Sequence, residues 1–216
     1  MLHRGSHLGF PLIFDMKCVL IGGGGHGRVL LETIEQQRPG VVVGVLDSRP
    51  GLQQVAEIPV LGGDEVLPRL KEMHFTHFVI GVGSSQPCRV RAELYLAARK
   101  AGLEPLSVVH AQALVSHQAE VAAGCQIMAR AVVNTGARLG GHVLVNTGAI
   151  VEHDGVIGAH TLIGSGVVLG GGVQVGERSL IGAGAVVRQG VRIGARVVIG
   201  KGVIVKQDVP DGTEIA

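Results

Sequence analysis

Every sixth residue from Val115 to Val205 is aliphatic, a series that runs through Val121, Ile127, Val133, Leu139, Val145 and Val151 and continues from Ile157 to Ile199. The positions two before these are small or β-branched, among them Ala119, Cys125, Ala131, Ala137, Ala149, Thr161, Val173, Ser179 and Ala185. Glycine directly follows the aliphatic residue at 140, 158, 164, 170, 176, 182, 194 and 200, where a tight corner favours it. A period of six fits neither the 3.6-residue turn of an amphipathic helix nor the two-residue alternation of a meander. It predicts a triangular parallel β-helix, in which each hexad supplies one short strand and one corner. Three hexads close a coil, and the aliphatic side chain points into the prism. Residues 115–206 make about five such coils.

Upstream the pattern changes. "KCVLIGGGGHGRVLLETIEQQ" (17–37) reads as a buried strand at 17–21, a glycine loop and a helix with Val29, Leu30 and Ile34 on its apolar side. "VVVGVLD" (41–47) and "HFVIGVG" (77–83) read as further strands, and "VRAELYLAARKAG" (90–102) as a helix stopped by Gly102. Alternating strands and helices predict a small parallel α/β domain over 16–109, followed by the β-helix over 110–216. Met16-Lys17 looks like a natural start, so residues 1–15 are set aside as a leader.

Composition sharpens this picture. The chain has 35 Gly and 46% hydrophobic residues but only 2% aromatics and no Trp, so its core must be filled repetitively by small and β-branched side chains. A net charge of +2 provides no global attraction for nucleic acid or an anionic membrane surface, so any anion site is local. No apolar run approaches the roughly 20 residues that span a bilayer. Cys18, Cys88 and Cys125 are widely spaced and form no CxxC, which suits a reduced, cytoplasmic protein.

Two stretches carry candidate chemistry. In "GGGGHG", Gly22, Gly24 and Gly27 have GxGxxG spacing directly after a strand, and Asp47 ends the next strand. Such a loop lets backbone approach a phosphate at a helix N-terminus. About ninety residues hold only half of a dinucleotide fold, which suits a mononucleotide ligand. His26 sits inside the loop, in reach of a ligand phosphate.

The second stretch is Glu152-His153-Asp154. His153 lies two and Asp154 three residues after Val151, so both sit at a corner outside the packed prism. A histidine near its ordinary pKa of about 6.5 can take the proton from an amine or hydroxyl attacking a thioester, and a carboxylate neighbour fixes its tautomer. Cys125 points inward in this register, which favours direct transfer over a covalent acyl-enzyme. His142 and His160 stack on one edge and raise a zinc site. The seven-residue spacing of His153 and His160 does not match the three-histidine site of the β-helical carbonic anhydrases, and no metal is expected. Arg178, Arg188, Arg192, Arg196, Lys201 and Lys206 meet only Glu177 among acids from 176 to 206, a local positive charge suited to the phosphates of coenzyme A.

With these halves in this order, the sequence resembles the sugar O/N-acyltransferases of the sialic-acid O-acetyltransferase and bacillosamine N-acetyltransferase type, members of the left-handed β-helix hexapeptide-repeat acyltransferases. The resemblance rests on "GGGGHGRV" (22–29), "VLD" (45–47), "GVGSS" (81–85), "VNTGAIVEHDGVIG" (145–158) and "VPDG" (209–212). It implies a half-Rossmann-like α/β domain followed by a left-handed parallel β-helix, a homotrimer, and acetyl-CoA as co-substrate. It further implies N-acetylation of a nucleotide-activated amino sugar for surface glycans such as lipopolysaccharide.

Residue by residue, the resemblance makes His153 the general base and Asp154 its partner. Gly24, Gly25, His26, Asp47, Ser48, Gly83 and Ser84 fall where the family holds the nucleotide-linked sugar, and Asn146 near the acceptor. Leu162, Gly171, Gly182, Ala183 and Lys201 fall at cofactor positions. Family members commonly have histidine at the place of Leu162, and the usual Gly-x-Pro-Ala tail after "VPDG" is missing. The alternatives are a sugar O-acetyltransferase, an inactive trimeric binding protein and a zinc-dependent β-helix hydratase.

Overall fold

A computed structural model describes residues 16–83 and 88–216; the leader and Ser84 lie outside the described residues. The N-terminal half comprises β1 (Cys18–Ile21), α1 (Gly25–Gln37), β2 (Val42–Leu46), β3 (Gln54–Val55), β4 (Ile58–Gly62), β5 (His77–Ile80), α2 (Cys88–Lys100) and β6 (Glu104–Pro105). The sheet order is β3-β4-β2-β1-β5-β6, parallel except for the β3–β4 pair. Side chains alternate across β1: Cys18 and Leu20 pack with Leu30, Leu31 and Ile34 of α1, whereas Val19 and Ile21 join Phe78, Ala98 and Leu103 on the other side. The buried face of α1 runs through Gly27, Leu30, Leu31 and Ile34, an i, i+3, i+4, i+7 stripe. Val29 falls outside that stripe and is 46% exposed, which corrects its expected place on the apolar side.

The hexads fold as their period demands, into two-residue strands in three parallel sheets. The first face stacks Val108–Val109, Gln126–Ile127, Leu144–Val145, Leu162–Ile163, Leu180–Ile181, Val198–Ile199 and Glu214–Ile215. The second runs from Leu114–Val115 through Ile150–Val151 to Ile204–Val205, and the third from Glu120–Val121 through Val156–Ile157 to Arg192–Ile193. The ladder thus begins with Val108, one strand before the hexad series read from Val115. From Ile127 to Val205 the second residue of each pair enters one continuous core with the small residues two positions earlier, whereas Val109 and Val121 at the open end are exposed. Truncating one such core residue, as in Ile163→Ala, leaves a cavity among the packed core side chains and costs about 2–5 kcal/mol.

The corners have a different cause from the one expected. A β-carbon on Gly164 would lie 2.7 Å from the amide nitrogen of Ala183, and one on Gly158 would lie 2.5 Å from that of Glu177. The glycines directly after the aliphatic residues therefore admit the close approach of the next coil, about 4.8 Å away. The chain turns two positions later, where left-handed φ recurs every six residues through Gly136, His142, Gly148, Asp154, His160 and Gly166.

The three faces differ in what they show to the outside. Outward residues of the first face, among them Gln126, Leu144 and Leu162, are buried beneath the α/β half and share its core. Those of the third face are mostly polar: Glu120, Arg138, Gln174 and Arg192. On the second face every outward residue is aliphatic, and Leu114, Val186 and Ile204 are 67%, 39% and 63% exposed.

Candidate active site

Gly24, Gly25, His26, Asp47, Ser48 and Gly83 line one cleft of about 600 Å³ at the C-terminal ends of β1, β2 and β5. Gly22 turns the loop at φ +95°, and a β-carbon on Gly27 would overlap the carbonyl of Gly22, so α1 can start this close to β1 only with glycine there. Gly24 and Gly25 have nothing within 4 Å of a built β-carbon, so their backbone borders open space at the first turn of α1. Asp47 accepts a hydrogen bond from the Gly23 amide at 2.8 Å, and Nε and Nη2 of Arg49 bind it at 2.8 and 2.9 Å. Those Arg49 bonds, foremost, hold its pKa down to about 2. Arg49 also lines the cleft, a cation two residues past "VLD" that the sequence reading did not single out.

Behind the cleft a buried polar chain joins the two halves. His26 Nε2 lies 2.8 Å from Oε1 of Gln126, whose amide nitrogen donates to the Ile80 carbonyl at 2.8 Å. Arg91, 1% exposed, donates to the carbonyls of Ile80 and Val82 and reaches Nε2 of His142 at 3.3 Å. His142 Nδ1 meets His160 Nδ1 at 3.0 Å, and Tyr95 stacks on the His142 ring at 4.6 Å between centroids. Arginine only donates, so His142 accepts at Nε2, donates from Nδ1, and leaves His160 protonated at Nε2. Burial, then the Arg91 charge, push the His142 pKa down to about 2. The stacked histidines expected on this edge are therefore neutral links between the halves. A metal ion there would compete with the guanidinium of Arg91, and no group of three or more metal-ligating side chains occurs among the described residues.

His153 and Asp154 occupy the vertex between the second and third faces. Nδ1 of His153 is 2.9 Å from Oδ2 of Asp154, a bond that raises the histidine pKa above its ordinary value. Nε2 is then the nitrogen with the lone pair. Glu152 accepts from the His153 amide at 3.2 Å and from Asn134, one coil below, at 3.0 Å. Glycines make the room: a β-carbon at Gly171 would overlap the His153 ring at Nε2, and one at Gly136 would lie 2.5 Å from Oδ1 of Asp154.

One chain does not bring all the expected residues together. The cleft belongs to the half that covers the first face, and the His153 vertex lies across the prism from that face. Asn146, Gly182, Ala183 and Lys201 lie on a third location, the vertex between the first and second faces; Gly171 is with His153. Leu162 is corrected outright. Its side chain is 0% exposed and packs in the core shared by the two halves, so it cannot touch acetyl-CoA. The basic residues of 176–206 also disperse: Arg178 and Arg196 follow His160 up its vertex, Arg192 lies on the third face, and only Arg188 and Lys206 share the His153 vertex.

Comparison with known proteins gives this architecture its place. Residues 17–96 match the PglD N-terminal domain, and residues 154–189 and 172–207 match the bacterial transferase hexapeptide repeats. The perosamine N-acetyltransferase of Caulobacter crescentus, crystallised with CoA and GDP-perosamine, is 35% identical, with 92% of each chain covered and a TM-score of 0.86. The acetyltransferase domain of PglB from Neisseria gonorrhoeae, crystallised with acetyl coenzyme A, is 33% identical over 94% of this chain and 96% of that one, with a TM-score of 0.82. WeeI from Acinetobacter baumannii, 22% identical with a TM-score of 0.82 over 93% of this chain and 96% of that one, shares the fold. No match was found among curated proteins. Fold and repeats define an acyltransferase of the hexapeptide-repeat class. Within it, the chain belongs to the left-handed β-helix sugar acyltransferases whose repeats follow a PglD-type N-terminal domain.

Proposed function

We propose that the protein transfers the acetyl group of acetyl-CoA to the amino group of a nucleotide-linked amino sugar, in the cytoplasm, for surface glycan biosynthesis. The observation that carries this reading is the His153–Asp154 pair: an exposed imidazole with Nδ1 committed to a carboxylate and Nε2 free, on the backbone type that binds CoA and GDP-perosamine in the Caulobacter relative. Nε2 of His153 accepts the proton as the amine nitrogen attacks the thioester carbonyl. The C–N bond forms, the C–S bond breaks, and the proton passes to the departing CoA sulfur. The cleft around Gly24, Gly25, His26, Asp47, Ser48 and Gly83 holds the nucleotide sugar, and Ser84 is assigned with them. Arg188 and Lys206, on the His153 vertex, suit the phosphates of CoA.

The protein acts as a homotrimer in this reading, because cleft and base sit on opposite sides of one prism. The aliphatic second face is flanked by the His153 vertex on one side and by Asn146, Gly182, Ala183 and Lys201 on the other. A neighbour docked on that face by a closed rotation adds its residues to both vertices. The test is incubation with acetyl-CoA and a panel of UDP-, GDP- and dTDP-linked amino sugars, following free thiol. Release with one sugar class is expected; no release with any acceptor sinks the enzymatic reading.

A further inference from the structure

Gln126 belongs to the β-helix, yet its side chain is spent on the α/β half. It is 1% exposed, and it makes two hydrogen bonds of 2.8 Å, one to His26 in the glycine loop and one to the carbonyl of Ile80 at the end of β5. The roles in these bonds are forced. A backbone carbonyl can only accept, so the amide nitrogen of Gln126 faces Ile80 and its oxygen faces the ring. That oxygen can only accept, so Nε2 of His26 carries the proton. The flipped arrangement would set the Gln126 oxygen against the Ile80 carbonyl, two acceptors with no proton between them.

The other ring nitrogen, Nδ1, has no protein partner among the described residues. His26 also lines the cleft. Burial, foremost, and the charge of Arg91 push the His26 pKa down to about 4, against the opposing pull of the Gln126 bond. The ring therefore meets a ligand at neutral pH with a lone pair.

We infer that Gln126 is a positioning residue for the nucleotide-sugar cleft: it locks His26 as the neutral Nε2–H tautomer, so that Nδ1 accepts a hydrogen bond from a hydroxyl or N–H of the ligand. This rests on the reading of the cleft as the nucleotide-sugar site. It replaces the expectation that His26 reaches a phosphate, because a bare nitrogen lone pair repels an anionic oxygen. It also makes ligand selection by the α/β half depend on a residue of the other half.

Full-length protein labelled with 15N-histidine tests the tautomer directly. At pH 7 His26 should show a protonated Nε2 and a bare Nδ1, and added GDP-perosamine should move the Nδ1 resonance as it accepts a proton bond. Gln126→Glu keeps the size and the acceptor for Nε2 but cannot donate to Ile80. Its charge favours the imidazolium, so Nδ1 should become protonated and KM for GDP-perosamine should rise about tenfold or more. The value of kcat and the KM for acetyl-CoA should stay within about twofold, a split that general misfolding does not produce. Gln126→Leu removes the acceptor that holds the proton on Nε2, so the Nδ1–H tautomer should appear beside the Nε2–H one and the same KM should rise. A wild-type His26 protonated at Nδ1, or a Gln126→Glu enzyme with unchanged KM for the sugar, overturns the inference. Absence of thiol release by the wild type would instead count against the acetyltransferase reading, and the tautomer measurement would still decide the role of Gln126.

Discussion

His153 owes its character to its immediate surroundings: Asp154 fixes Nδ1, Glu152 ties the backbone amide, and Gly171 leaves Nε2 uncovered. His153→Ala removes little buried surface, so the fold and both KM values should hold while kcat falls about a hundredfold or more; near-normal turnover would remove His153 as the base. Asp154 raises the His153 pKa, and the base works only when deprotonated, so the raised value places the acid limb of kcat/KM at higher pH. Asp154→Asn should therefore shift that limb to lower pH and reduce turnover less than His153→Ala does. A limb that stays put would show that Asp154 does not set the titration. These two residues were legible in the sequence because hexad register alone puts them outside the core. Arg49, Arg91 and Gln126 were not, because their roles arise from partners distant in sequence or from a carboxylate already assigned elsewhere.

At the scale of the element, the six-residue repeat announced strands and corners, but it could not separate two kinds of glycine. Those after the inward aliphatic residue serve coil approach, whereas the left-handed positions tolerate Arg130, His142 or Arg178 as well as glycine. Gly136 and Gly184 share that left-handed backbone, at φ +70° and +71°, yet only Gly136 faces Asp154. Gly136→Ala and Gly184→Ala should therefore lose comparable stability, about 1 kcal/mol, while only Gly136→Ala lowers turnover and moves the acid limb. Equal activity in the two variants would show that the dyad needs no such space. Repeat reading also could not foresee that the first face is covered; it was the family resemblance that put Leu162 at a cofactor position, and under that cover it is core. The same cover keeps His142 neutral: its folded pKa of about 2 lies below the ordinary 6.5. The unfolded chain takes the proton first, so stability present above pH 6.5 is lost as pH falls, by about 2 kcal/mol at pH 5. Melting temperature should be level above pH 7 and decline below it. His142→Gln, whose amide oxygen still accepts from Arg91, should flatten that decline.

In the whole molecule the aliphatic second face decides whether cleft and base meet. Ile150→Asp with Val168→Asp places charges in the middle of that face without touching the core. The pair should turn a trimer into a folded monomer by light scattering and abolish turnover; an active monomer would show that one chain suffices. Complementation gives the sharper test. His153→Ala leaves the cleft intact, and Asp47→Ala leaves the base intact while loosening Arg49 and Gly23. In a closed ring where each site joins one chain's cleft to its neighbour's base, every mixed trimer of the two variants contains one wild-type pairing. Random reassembly at equal amounts makes about three quarters of the trimers mixed, so about a quarter of all sites regain both parts. Two weakly active proteins, mixed, unfolded and refolded together, should thus recover roughly a quarter of wild-type activity at subsaturating sugar. If each site were built within one chain, the mixture would do no better than the mean of its components.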